Sequence, residues 1–164
     1  MKTVFIDSSN IKEGNDEYNK LEDLDCILVP GGFGERGTEG KILAIKKCRE
    51  KKIPFLGICY GMQMACIEYA RNVAGVEAFH EEITPEKQDS EYIIHLMREF
   101  LDREGHLQKR TEESNKGGSQ RVGGYICSVE PDTLLHKLMG KEKIMERHRH
   151  RYEFNNEFSS IIEK

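Results

Sequence analysis

Through the first half of the chain, short β-branched and aromatic runs alternate with stretches of helical periodicity. TVFID (residues 3–7), DCILVPGG (25–32) and IPFLGIC (53–59) predict strands. GKILAIKKCREKK (40–52) and GMQMACIEYARNVAG (61–75) predict helices. The runs Ile27-Leu28-Val29 and Pro54-Phe55-Leu56 are too short and too uninterrupted for amphipathic helices, and each leads into glycine, as a buried parallel strand does. Strand, turn and helix in repetition predict βαβ units and an α/β fold with a mostly parallel sheet. In the helix after Cys59, the residues Met62, Cys66, Ile67 and Ala70 recur at helical spacing and are expected to form its buried stripe.

The second half is patterned differently. EYIIHLMREF (91–100) fits either a strand or a helix, and GHLQKRTEESNKGGSQRVGGYIC (105–127) is polar and glycine-rich with apolar ends, as in a hairpin or mobile loop. A short helix is expected over 132–139 after Pro131, with Asp132 near its N-terminus, and a closing helix over 155–164 capped by Asn155 or Asn156. Without internal repeats or a Pro- or Ser-rich linker, one domain over 1–164 is expected, a size sufficient for a single core.

Charge narrows the partners. With 25 Lys+Arg against 29 Asp+Glu, the net charge is -4 and the pI about 5.9. No electrostatic footprint for nucleic acid or an acidic membrane surface stands out, which favours a small-molecule or protein partner. No apolar run approaches the roughly 18 to 20 residues that cross a bilayer, and MKTVFID reaches a charge too early for a signal peptide. A cytoplasmic location is therefore expected. The five cysteines, Cys26, Cys48, Cys59, Cys66 and Cys127, are odd in number and lack CxxC spacing, so neither a disulfide framework nor a metal site is expected.

One cysteine stands apart. Gly57-Ile58-Cys59-Tyr60-Gly61 has the form G-x-C-x-G between a predicted strand and helix, the thiol counterpart of a nucleophile elbow. Such a turn presents its nucleophile at the carboxyl edge of the sheet, where open α/β sheets bind ligands. The helix N-terminus favours thiolate over thiol, and the Tyr60 N–H is placed to receive an oxyanion. The spacing by itself equally suits a buried cysteine at a strand-to-helix turn.

Gly32-Phe33-Gly34-Glu35-Arg36-Gly37 satisfies the dinucleotide fingerprint G-x-G-x-x-G, but the next strand ends in Gly57-Ile58-Cys59 rather than in the acid a ribose needs. If the strand at Ile27 lies beside the strand at Phe55, this loop instead emerges next to Cys59 and offers a second backbone donor to an oxyanion.

Taken in order, ILVPGGFGERG, KIPFLGICYGMQ, EYARNVAG, GGSQRVG and ERHRHRYEFNN resemble the glutaminase domain of the CTP synthase family, which belongs to the class I glutamine amidotransferases. The similarity runs through nearly the whole chain, and ERHRHRY is the segment that singles out CTP synthases. The resemblance implies a three-layer, flavodoxin-like open sheet in which Cys59 attacks L-glutamine, forms a glutamyl thioester and releases ammonia. It further implies amination of UTP in a separate synthetase domain that uses ATP and Mg²⁺, no cofactor in this domain, and a homotetrameric parent enzyme. By position, Gly32 lies in the loop offering backbone contacts, and Tyr60, Gly61, Met62 and Gln63 occupy the glutamine-binding run, although leucine is more usual at Tyr60. Glu82 of AFHEEITP matches the acid that holds the substrate ammonium, and Arg151 matches a glutamine-binding position.

The resemblance also carries an expectation of incompleteness. One strand and helix of the family precede the equivalent of VFIDSS, and the general base with its orienting acid stands in a His-Pro-Glu motif beyond Lys164. A partial domain, with its synthetase domain absent and little turnover of its own, is expected. His80-Glu81-Glu82 has His-x-Glu spacing but matches no base of the family. The alternative to an enzyme domain is a non-catalytic amidotransferase-like module that docks on a synthetase or senses glutamine.

Overall fold

The computed structural model describes residues 2–101, 106–109 and 121–163. Along the chain lie α1 (Asp16–Asn19), β1 (Ile27–Val29), α2 (Thr38–Lys51), β2 (Phe55–Gly57), α3 (Tyr60–Asn72), β3 (Phe79–His80) and β4 (Tyr92–Leu96). There follow β5 (Glu99–Leu101), β6 (Leu107–Lys109), β7 (Arg121–Ser128), α4 (Leu134–Met139), β8 (Lys143–His150), β9 (Tyr152–Phe154) and α5 (Ser159–Ile162). These elements form two compact units, Met1–Leu96 with Tyr152–Lys164, and Met97–Arg151.

In the first unit, β1 and β2 pair in parallel with Ile27 opposite Phe55 and Val29 opposite Gly57. Helix α2 makes the connection between them, as a parallel pair requires. Side chains alternate across a strand. Ile27 and Val29 therefore point into a core shared with Ile42 and Ile45 of α2 and Met64 and Ile67 of α3. Leu28 and its register partner Leu56 point the other way and remain 54% and 55% exposed. The expected burial on both faces thus holds for one face only, because the two flanking helices share the core on that side.

The run TVFID does not become a strand. Among the described residues nothing pairs with it, and Phe5 is 94% exposed. Strand propensity needs a ladder to express itself, and this segment has none, although Ile6 packs against the core. A cavity of about 310 Å³ lies between it and β1, lined by Val4, Ile6, Leu24, Ile27, Leu28 and Lys41 among others.

The ambiguous 91–100 run resolves in its first half as β4, parallel to β3 and antiparallel to β9. Ile93 and Ile94 are both fully buried, so this strand is covered on both faces. Helix α3 buries Tyr60, Gln63, Met64, Ile67 and Ala70, while Met62 is 43% exposed and Cys66 half-buried. The expected stripe is thus out of phase at its start: the turn at Cys59 sends Tyr60 inward, and the positions three, four, seven and ten residues later follow it. Glu68, also buried, takes three hydrogen bonds of 2.8–3.2 Å from the Arg49 guanidinium and ties α3 to α2.

Helix α5 follows a 3-10 turn, Asn156–Phe158, capped by Asn155, whose Oδ1 accepts from the Glu157 N–H at 3.0 Å and whose Nδ2 donates to the Tyr92 carbonyl at 3.1 Å. In the second unit, β5 pairs with β6, and β7 forms a long antiparallel hairpin with β8 from Arg121 opposite His150 to Ser128 opposite Lys143. Helix α4 begins later than expected: Thr133 is its cap, accepting from the His136 N–H at 3.2 Å, and Asp132 stands outside it with φ +63°. Most of the glycine-rich stretch, including Gly117, Gly118, Ser119 and Gln120 of GGSQRVG, lies outside the described residues.

Candidate active site

Cys59 stands between β2 and α3 with φ 52° and ψ -105°, a left-handed backbone that costs strain for any residue with a Cβ. The two flanking glycines explain how the chain reaches it. A Cβ on Gly57 would lie 2.8 Å from the backbone of Gly61, and a Cβ on Gly61 would lie 2.1 Å from the Val29 carbonyl oxygen. The turn is closed by Gly61 N–H donating to the Ile58 carbonyl at 3.0 Å and Gln63 N–H donating to that of Cys59 at 3.1 Å. Ile58 N–H is tied to the Val29 carbonyl at 3.0 Å, so the elbow rides on the end of the β1–β2 pair. This is the elbow reading rather than the buried-cysteine one: Cys59 is half-buried and in no disulfide. Burial pushes the Cys48 and Cys66 thiols up to about 11, which keeps both protonated at neutral pH.

The glycine loop arrives where the strand pairing puts it. A Cβ on Gly31 would sit 3.5 Å from that of Cys59, and Gly32 lies against the Tyr60 ring. Tyr60, only 1% exposed, turns its side chain inward: its hydroxyl donates to the Gly34 carbonyl at 2.6 Å and accepts from Thr38 Oγ1 at 2.9 Å. Burial raises the Tyr60 hydroxyl above its ordinary value, so it remains a donor. The residue that replaces the usual leucine therefore latches the loop beside the nucleophile.

Glu82 reaches the same loop, with its Oε2 accepting the Gly34 N–H at 3.2 Å. That contact also counts against the dinucleotide reading, since a phosphate seeking this amide would meet a carboxylate already there. Gln63 is buried and turned inward, its Nε2 donating to the Tyr152 carbonyl at 3.0 Å and its Oε1 lying 3.3 Å from His80 Nε2. Met62 faces outward, with its Sδ 3.6 Å from Cys66 Sγ. Arg151 belongs to the second unit, where its carbonyl accepts the Met97 N–H at 3.0 Å.

His80 is the residue that sequence reasoning set aside. Its Nδ1 accepts the backbone N–H of Glu82 at 3.1 Å, and the Glu81 carboxylate accepts the Leu96 N–H at 2.6 Å. The His-x-Glu spacing thus builds a backbone lock instead of an imidazole–carboxylate pair. No local signal marks it, because its partner Gln63 lies on α3, across the fold. Among the described residues, no group of three or more His, Cys, Asp or Glu is arranged to hold a metal ion.

A strained cysteine elbow on a parallel βαβ unit, beside a glycine loop, defines a class of protein. Residues 3–163 match the family glutamine amidotransferase class-I, and the chain belongs to it. Its fold is the α/β, flavodoxin-like fold of that class, here with parallel and mixed sheets. Among solved structures it is similar to the Trypanosoma brucei CTP synthase glutaminase domain with bound acivicin, at 31% identity and a TM-score of 0.78. The match covers 98% of this chain and 57% of that one, so the chain spans a little over half the length of that relative. No helix among the described residues is long and apolar enough to cross a membrane.

Proposed function

We propose that this chain provides the glutamine site of a CTP synthase, with Cys59 as the nucleophile. The observation that supports this most directly is the strained Cys59 elbow beside a loop latched by Tyr60 and joined to Glu82. The thiolate attacks the side-chain amide carbon of L-glutamine. The oxyanion is received by the Tyr60 N–H, which as the first helical residue has no intrahelical acceptor, and by the backbone of the Gly32 loop. The carbon–nitrogen bond then breaks, ammonia leaves with an added proton, and water cleaves the thioester to glutamate.

Glu82 is the group for the substrate ammonium, and Arg151 is the cation for its carboxylate. The ammonia is directed to UTP in a synthetase domain that uses ATP and Mg²⁺, within a homotetrameric parent enzyme in the cytoplasm. Proton delivery to the leaving ammonia is worth roughly 100- to 10,000-fold. His80 has both ring nitrogens engaged and is not available for it. The 164 residues by themselves are accordingly expected to bind glutamine but to form the thioester, and hence turn over, slowly.

The test is the intact mass of the purified chain after incubation with acivicin, a glutamine analogue, with Cys59→Ala alongside. One adduct, confined to Cys59, is the expected result. A folded chain that gains none removes the glutamine reading, leaving an amidotransferase-like module without a working site.

A further inference from the structure

Four contacts meet at one buried imidazole. His80 is 2% exposed and lies between the rings of Tyr60 and Tyr152, with centroids 5.8 and 4.9 Å away. Because Nδ1 accepts the Glu82 N–H at 3.1 Å, the ring proton sits on Nε2, which donates to Gln63 Oε1 at 3.3 Å. That fixes the Gln63 amide with its nitrogen toward the Tyr152 carbonyl, the bond it makes at 3.0 Å. Each donor in the chain of contacts faces an acceptor, so the arrangement is consistent from end to end.

Glu82 needs such support. It follows the two-residue strand β3, on a turn where the Ile83 and Thr84 N–H groups fold back onto the His80 carbonyl. Its backbone is held by the His80 ring and its Oε2 by the Gly34 N–H. One end of the residue is thus tied to the core and the other to the loop beside Cys59.

We propose that His80 is a positioning residue for the glutamine site, holding Glu82 and the Gln63 amide in register with the glycine loop. This rests on Glu82 being the acid for the substrate ammonium. A protonated ring would donate from both nitrogens and lose the Glu82 bond. Burial works against that form, pushing the His80 ring down to about 4.

Two variants separate the halves of the contact. In His80→Asn the amide oxygen stands near the place of Nδ1 and keeps an acceptor for the Glu82 N–H. In His80→Gln the longer side chain reaches Gln63 and leaves the Glu82 N–H without one. Labelling of Cys59 by acivicin is followed as KI and kinact, with iodoacetamide as a probe that needs no ammonium site. His80→Gln is expected to raise KI by about tenfold with kinact and iodoacetamide labelling unchanged. His80→Asn, which keeps the Glu82 acceptor but gives up the Gln63 contact, is expected to raise KI by a clearly smaller factor than His80→Gln.

Both variants matching the parent in KI would overturn the inference. So would both losing iodoacetamide labelling together with acivicin labelling, because His80 would then be a packing residue only. A parent chain that takes iodoacetamide on Cys59 but no acivicin fails differently: it removes the glutamine reading first, and this inference with it.

Discussion

The two faces of the β1–β2 pair are built from the same kind of residue and differ in what covers them. Ile27 and Val29 are sealed against α2 and α3, while Leu28 and Leu56, as apolar and in the same strands, lie more than half exposed. Residue type does not distinguish the faces; the helices that share the core do. The chemistry depends on the covered face, since Gly61 rests on the Val29 carbonyl and Tyr60 reaches from α3 to the glycine loop. Val4 and Phe5 are exposed beside β1, where a cavity is lined by residues of both faces, Leu28 as well as Ile27 and Val29.

The sharpest way to break this contrast is Gly61→Ala, which puts a methyl 2.1 Å from the Val29 carbonyl on the covered side. A loss of about 4 kcal/mol or more is expected, seen as a collapse of the denaturant midpoint together with loss of Cys59 labelling. A smaller midpoint shift with labelling intact would show that the elbow does not depend on that approach.

Acid acts on the covered side through His80. The unfolded chain protonates this ring near its ordinary 6.5, whereas the folded chain resists until about 4. The contribution is therefore fully present above pH 6.5 and falls as pH drops from 6.5 toward 4, by up to about 3 kcal/mol. Denaturant curves at about pH 7 and about pH 4.5 measure it, and His80→Gln should remove this ring's share of the difference. An equal acid loss in that variant would assign the effect to other groups.

The smallest effect is expected on the open face. Leu56→Thr exchanges an exposed side chain for one that keeps strand propensity, and its stability change should stay within about 0.5 kcal/mol. A loss of several kcal/mol in thermal or denaturant melts would mean that this face is covered in solution, and would end the comparison.

Much of the site is legible along the chain because its parts are local. The two glycines around Cys59 serve one turn of backbone, and β1, α2, β2 and α3 follow from short apolar runs separated by glycine and helical periodicity. Even the approach of the loop to Cys59 follows once two strands are set side by side. The phase of α3 is less legible, since Met62 and Met64 are equal as hydrophobes and only the inward turn of Tyr60 selects the second.

Sequence by itself determined the βαβ order and the G-x-C-x-G spacing at Cys59, because each rests on residues within a few positions of one another, and the family, because its segments recur in order through nearly the whole chain. Tertiary structure alone decided that TVFID stays without a ladder, that Leu28 and Leu56 face outward, and that His80 meets Gln63 and Glu82 rather than forming a catalytic pair. Those outcomes depend on which element lies on which side of a strand or a ring. Spacing along the chain carries no record of that, since burial and hydrogen bonding are settled by neighbours that the fold brings together.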